Sequence, residues 1–348
     1  MKAATITPGH RDSATVSERA DPVPTENELL VDGLLCGVCG TDLEITQGYG
    51  QPPPDSADLV LFHESLGRVR RAPAGSGFGV GDLVVGVVRR PDPVPCPACA
   101  RGRWDFCHNG RYTERGIKER DGYGSTSWTV DPDFAVKLDP GIGDLGVLTE
   151  PTSVVAKAWE QADLVGQRAC SDPTTVLVTG AGPIGLLAAL LGSQRGMDVH
   201  VLDKVTSGRK PDLVRSLGAT YHHDLDNLDV TPDVVIECTG VAEVVFGVLR
   251  GTARNAVTVL TGISGGQHAL RLPAGAINDA LVLENDALVG SVNAALRNYQ
   301  QAARALAHAD RNWLRGLITR RESLSDWTAT LEKNPDDIKV VVDLQETP

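Results

Sequence analysis

The spacing of hydrophobic positions changes along the chain, and the change divides it. In the first third, apolar residues come in short runs at 29–34 and 83–88, which predict β-strands. Stretches rich in proline and glycine at 51–55, 72–81 and 91–97 predict turns between them. From residue 174 the pattern becomes apolar strands alternating with helical segments: 176–179, a helix over 183–195, then 199–202, with further buried strands at 233–238 and 256–260 and a last strand at 287–292. Such alternation predicts a parallel sheet covered by helices on both faces. After residue 293 a helical run over 299–309 and a closing strand at 339–344 are expected. The fold class is therefore α/β, with a β-rich domain over 1–155 and 294–348 interrupted by a doubly wound domain over 156–293.

Composition narrows the function. The chain has 348 residues, with 33 Lys and Arg against 45 Asp and Glu, a net charge of −12 that argues against a general nucleic-acid binder. The longest apolar stretch, 185–192, falls far short of the roughly 20 residues a membrane-spanning helix needs. Residues 1–10 lack a basic cluster followed by an apolar segment. No membrane association, no secretory leader and a cytoplasmic location are expected. Of seven cysteines, five fall in two tight clusters, which in a reducing compartment points to metal or redox chemistry before disulfides.

The strand at 176–179 runs into Gly180-Ala-Gly182-Pro183-Ile184-Gly185 and then a helix. In that context the glycines permit a tight turn, a close approach by a pyrophosphate and close helix–strand packing, and the helix N-terminus offers free N–H groups to phosphate. Asp203, at the end of the next strand, is placed to grip an adenosine ribose diol, which favours NAD over NADP. Lys204, Arg209 and Lys210 lie close by and soften that preference.

Ahead of this domain stand Cys39-Gly-Thr41-Asp42, His63-Glu64 and Glu150. A thiolate, an imidazole and a carboxylate suit tetrahedral zinc, with one position open for water or substrate. These motifs, with the GAGPIG turn, resemble the zinc-dependent medium-chain alcohol dehydrogenase superfamily over essentially the whole chain. The segments TERGI (113–117), LTEPTSVVAKA (148–158) and LVGSVNAA (288–295) are similar to archaeal-type glucose 1-dehydrogenases.

The resemblance implies a GroES-like catalytic domain joined to a Rossmann domain. It implies Cys39, His63 and Glu150 as catalytic zinc ligands, with Glu64 a carboxylate able to approach the metal. Thr41 would start a proton relay and Asp42 would support the ligands. Thr41, Glu114, Glu150 and Asn293 would lie beside the sugar, Asn293 also at the cofactor. The implied reaction takes hydride from C1–OH of D-glucose or a related aldose to NAD(P), giving the lactone. Another polyol, an aminosugar or a biosynthetic secondary alcohol is the alternative substrate, and a homodimer or homotetramer is expected.

Three departures bear on the substrate: Phe62 stands where the family has glycine, Glu284 where relatives have histidine, and Val88 about where some have a sugar-binding asparagine. Phe62 is expected to reshape the pocket wall. Cys96, Cys99 and Cys107 match a structural zinc lobe that normally has four cysteines; Asp92 is a candidate fourth ligand, or the lobe is empty. A four-cysteine module from Cys36, Cys39, Cys96 and Cys99 would leave the GTD and HE motifs unexplained. A zinc-lacking reductase or nucleotide-binding regulator on the same fold is the reading from another class. Cys36, Cys170 and Cys238 are read as core residues, His222-His223 as surface, and Arg89-Arg90 as an anion-attracting pair or a rim salt bridge.

Overall fold

A computed structural model of the chain describes residues 1–170, 172–264 and 269–345. Two units emerge, Met1–Ser153 with Asn293–Pro348, and Val154–Val292.

The first unit is built on the strand Leu29–Val38, whose alternation of buried and half-buried positions reflects the period of two in LLVDGLLCGV. Antiparallel partners flank it on both sides, Glu64–Arg71 and Lys339–Asp343, and Ser127–Val130 also pairs with it. Leu83–Gly86 and Ala135–Lys137 extend the sheet on one side, and Ile318–Ser323 runs parallel to Lys339–Asp343 on the other. A hairpin of Lys2–Thr7 and His10–Glu18 forms a separate small sheet with Leu59–Val60. The sequence pattern hides this hairpin, because His10–Glu18 is mostly polar and lacks a buried face. Phe62, Tyr123, Trp128 and Trp327 are the aromatic centre of a core that draws on both ends of the chain.

The expected strand at 83–88 breaks after Gly86, and Arg89–Arg90 pairs instead with Thr113–Arg115. The late helix runs over Leu296–His308, starting earlier than its apolar period because the Asn298 carboxamide oxygen accepts from the Ala295 N–H. A further helix, Arg311–Leu317, follows it, capped by Asp310.

The second unit is a six-stranded sheet with every neighbouring pair parallel. Its order is Thr220–His222, Asp198–Leu202, Thr175–Thr179, Val234–Glu237, Val257–Leu260 and Ala287–Gly290. Numbered by appearance the strands lie 3-2-1-4-5-6, so the winding reverses beside Thr175–Thr179. In open α/β sheets ligands bind at that reversal, outside the carboxyl ends of the strands. Among the described residues, no helix is long and apolar enough to cross a membrane.

Candidate active site

In the first unit, Cys39 ends the run after Leu29–Val38 and caps the helix Gly40–Ile45, its Sγ accepting from the Thr41 N–H at 3.3 Å. Asp42 returns the contact, its carboxylate accepting from the Cys39 N–H at 2.8 Å. The CGTD spacing is thus a helix start that presents a sulfur at its tip. His63 Nε2 lies 3.1 Å from Cys39 Sγ, and its other nitrogen, Nδ1, stands 3.9 Å from Asp42 Oδ1. Asp42 Oδ1 and His63 Nδ1 are buried without a hydrogen-bond partner. Glu64 and Glu150 close the group: His63, Glu64 and Glu150 offer ligand atoms within 4.8 Å of one another, as do Cys39, Asp42 and His63.

The electrostatics match a cation. Burial pushes the Glu150 carboxyl up to about 7 and also raises that of Asp42. Burial works against a charge on His63, yet Cys39, Asp42 and Glu150 hold its pKa well above the ordinary value. A sulfur, an imidazole and a carboxylate, with an unpaired ring nitrogen aimed at a carboxylate behind it, are the donors and outer support of a zinc site. Zinc bond lengths put tetrahedral sulfur and nitrogen ligands about 3.5 Å apart. The residues present therefore fit the metal.

One member of this neighbourhood escapes sequence reading. Lys339 is fully buried, and its ammonium contacts the Glu64 carboxylate and the Val38 carbonyl, the latter at 2.9 Å. Glu64 and Lys339 come from the strands on either side of Leu29–Val38, and a side chain on Gly37 would collide with both. Burial disfavours the Lys339 charge, but Glu64 beside it keeps its pKa above the usual value.

Glu114 and Asn293 are also brought together: the Asn293 Nδ2 donates to Glu114 Oε1 at 2.7 Å, with Asn293 at φ 59°. The same oxygen accepts from Arg89 Nε at 3.0 Å and lies 2.9 Å from its Nη2. Arg89 is buried over the Tyr112 ring, so the pair reading holds but away from any exposed rim. Phe62 takes φ 68°, the left-handed region where glycine is at ease. Its ring turns into the core against Trp327, which corrects the expectation that it forms pocket wall. Glu284 pairs with Arg254 at 2.8 Å in the second unit.

Cys96, Cys99 and Cys107 converge, each sulfur within 4.8 Å of the others. Asp92 is not a fourth member: its carboxylate accepts from Asn109, Arg111 and the Val94 N–H. His108 contributes its backbone N–H to Cys96 Sγ at 3.4 Å, with its side chain exposed. Cys36 is buried in the core, as expected. Cys170 is exposed and Cys238 half-buried, which corrects the core reading for both.

In the second unit the glycine loop divides its work as its motif requires. Gly180 takes φ 86°. A Cβ on Gly185 would collide with the Gly180 carbonyl oxygen, and one on Gly182 would meet nothing within 4 Å. Gly182 caps the helix Pro183–Gln194, which begins with Pro183 and Ile184. Asp203 accepts from the Ala181 N–H at 2.6 Å and the Val205 N–H at 3.0 Å, tying the strand end to the loop. A pocket of about 490 Å³ gathers Gly180, Gly182, Asp203, Lys204 and Lys210; Arg209 is not in its lining. His223, read from the sequence as surface, and Thr239, which went unnoticed because it lies outside the glycine motif, also line it. The open cradle at Gly182 fits a dinucleotide. His222 is no bland surface residue: it stacks on His200 of the neighbouring strand, nitrogen to nitrogen at 2.8 Å.

Residues 25–140 match the profile of the alcohol dehydrogenase GroES-like domain, and residues 143–344 that of the glucose dehydrogenase C-terminus. The chain is 35% identical to a glucose 1-dehydrogenase of Methanocella arvoryzae, over 99% of each chain. It is 37% identical to one of Thermoproteus tenax, over 99% of this chain and 100% of that one. The structure of Haloferax mediterranei glucose dehydrogenase in complex with NADP, Zn and gluconolactone superposes with a TM-score of 0.91 at 30% identity, covering 100% of both chains. With fold, metal-ligand set, glycine loop and full-length likeness in agreement, the chain belongs to the glucose dehydrogenase family of the zinc-dependent medium-chain alcohol dehydrogenases.

Proposed function

We propose that this dehydrogenase oxidises the C1 hydroxyl of D-glucose or a related aldose to the lactone and reduces NAD or NADP, in a reducing compartment such as the cytoplasm. The observation that carries the reading is the convergence of half-buried Cys39 and buried Glu150 on buried His63, within a chain matched over its whole length by glucose dehydrogenases. Bound zinc supplies a Lewis acid at the substrate oxygen, and the nicotinamide supplies the hydride acceptor.

The chain's own residues do the rest. Cys39, His63 and Glu150 would hold the metal, and the Asp42 carboxylate, with Oδ1 3.9 Å from His63 Nδ1, favours the tautomer that carries its proton there and leaves Nε2 free to ligate. Lys339 holds Glu64 to one side, keeping this carboxylate from closing the open fourth position. The Thr41 hydroxyl relays the proton leaving the substrate, accepting it as it gives up its own toward solvent. Glu114 and Asn293 orient sugar hydroxyls. In the second unit Gly180, Gly182 and Gly185, with Pro183 and Ile184, cradle the pyrophosphate, and Asp203 faces the adenosine ribose. Lys204 and Lys210 add positive charge for a 2′-phosphate, so both cofactors are accepted.

A second substrate reading, another polyol or aminosugar, has one observation in its favour. Glu114 Oε1 already takes Arg89 and Asn293, leaving the carboxylate less free for a sugar hydroxyl. A homodimer or homotetramer that continues the parallel sheet is proposed, because Ala287–Gly290 is an edge strand with Leu288 and Val292 exposed beside it.

Zinc per subunit in wild type and His63→Ala, with aldose-dependent formation of NADH and NADPH on the same samples, tests the proposal. One zinc lost in the variant together with glucose turnover supports it. Two falling to one assigns the second to Cys96, Cys99 and Cys107. Zinc without aldose turnover favours the second substrate reading, and a zinc-free wild type overturns the mechanism.

A further inference from the structure

A second concave site lies in the first unit. A pocket of about 530 Å³ is walled by the segment Gly141–Leu145, by the helix Arg311–Leu317 and by the start of the strand Ile318–Ser323. Its size lies within the range of small-molecule sites. Four arginines line it in a chain whose net charge is −12.

The four are not equivalent. Arg320 is taken up by Asp337 at 2.8 Å and by the Ala329 and Glu332 carbonyls. Arg321 pairs with Asp144, the one carboxylate in the lining, at 2.5 Å. Arg311 and Arg315 have no carboxylate within salt-bridge distance among the described residues. Arg315 donates only to the neutral Asn312 side chain, at 2.9 Å, and the Arg311 guanidinium lies against Gly141, whose missing side chain leaves it room. The two are four residues apart on one helix, where like charges face each other and repel. The wall therefore carries two guanidinium forks outside any salt bridge, with Asp139 Oδ1 the carboxylate oxygen that shares the Gly141 corner with Arg311, and with Ile142, Leu145 and Ile318 in the same lining.

A guanidinium fork matches a phosphate bidentately, and two adjacent forks match a dianion, which also relieves their mutual repulsion. We propose that this pocket is a binding site for a phosphorylated small molecule, its phosphate held by Arg311 and Arg315 and its organic part lying on Ile142, Leu145 and Ile318. None of these residues belongs to the zinc group or the glycine loop, so the site is separate from both.

Calorimetric titration of the full-length, zinc-loaded protein tests this, with NADP saturating so that the dinucleotide cradle is filled. Phenyl phosphate and inorganic phosphate are the probes. Saturable binding of one phenyl phosphate per chain is expected, at least threefold tighter than inorganic phosphate because of the apolar floor. Arg311→Ser/Arg315→Ser weakens it at least tenfold, with aldose turnover in the absence of the probe unchanged. Arg311→Glu, a single reversal at an exposed position, gives the same loss should the double variant fold poorly. The proposal is overturned if no saturable binding occurs, if the variants bind as wild type does, or if binding is seen only without NADP. Equal affinity for the two probes overturns the part assigned to the apolar floor.

Discussion

Glu64, Gly37 and Lys339 show how single residues on adjacent strands set up a buried charge pair. Removing one member of such a pair leaves the other uncompensated, so Lys339→Met is expected to lower stability by about 3–5 kcal/mol. Glu64→Gln added to it should restore much of the loss, and urea unfolding of the single and double variants reads the difference. Lys339 was illegible in the sequence because 275 residues separate it from Glu64 and nothing in KVVVD marks a lysine as buried. Cys39, His63 and Glu150 were legible as candidate ligands because zinc demands specific ligand types, and the motifs around them are short. Phe62 is the opposite case: its type was visible, but whether its ring faced pocket or core depended on a positive φ. Phe62→Gly should relieve about 1 kcal/mol of backbone strain. It should lose about 3–5 kcal/mol of core packing against Trp327, a net loss of stability measurable by the same unfolding assay.

At the scale of elements, the strand–loop–helix from Thr175 to Gln194 carries the dinucleotide reading, and its geometry rests on Gly185. Gly185→Val forces the helix off the strand, because the new side chain collides with the Gly180 carbonyl. A marked fall in thermal midpoint and loss of dinucleotide affinity by fluorescence titration are expected. Lys204→Ala/Lys210→Ala should raise the KM for NADP about 3- to 5-fold per charge lost while sparing NAD, each exposed ion pair being worth at most about 1 kcal/mol. The edge strand Thr220–His222 adds a pH dependence. Burial, then His200 and His223, hold the His222 pKa below its ordinary value, so the folded chain binds this proton less readily than the unfolded chain. Stability from this site is intact above about pH 6.5 and falls as the pH drops below it. Thermal midpoints between pH 7.5 and 5.5 should decline less in His222→Asn than in wild type, and equal declines would dismiss the His200–His222 stack as the cause. The strand–helix alternation of this unit was readable because its central strands are short and mostly apolar, as in TVLVT and VVIE. The hairpin strand His10–Glu18 was not, because it buries no face and so carries no period.

For the whole molecule, metal binding and folding are linked: a ligand that binds only the folded chain stabilises it by about 4 kcal/mol at a thousandfold excess over its dissociation constant. Stripping zinc with a chelator should therefore lower the thermal midpoint of wild type more than that of His63→Ala, read by scanning calorimetry. Sequence alone determined the α/β class, the glycine loop, the ligand types and the family resemblance. Each of these is written in local periodicity or short motifs whose chemistry allows few substitutes. Tertiary structure alone decided which side chains meet: Lys339 with Glu64, Arg89 and Asn293 on Glu114, the Asp92 carboxylate with Asn109 and Arg111, and Arg311 with Arg315 on one pocket wall. These meetings depend on strand register and on a chain that returns to its first sheet after more than three hundred residues. Contacts of that kind leave no period in the sequence, because each partner is specified only by where the other's strand is placed.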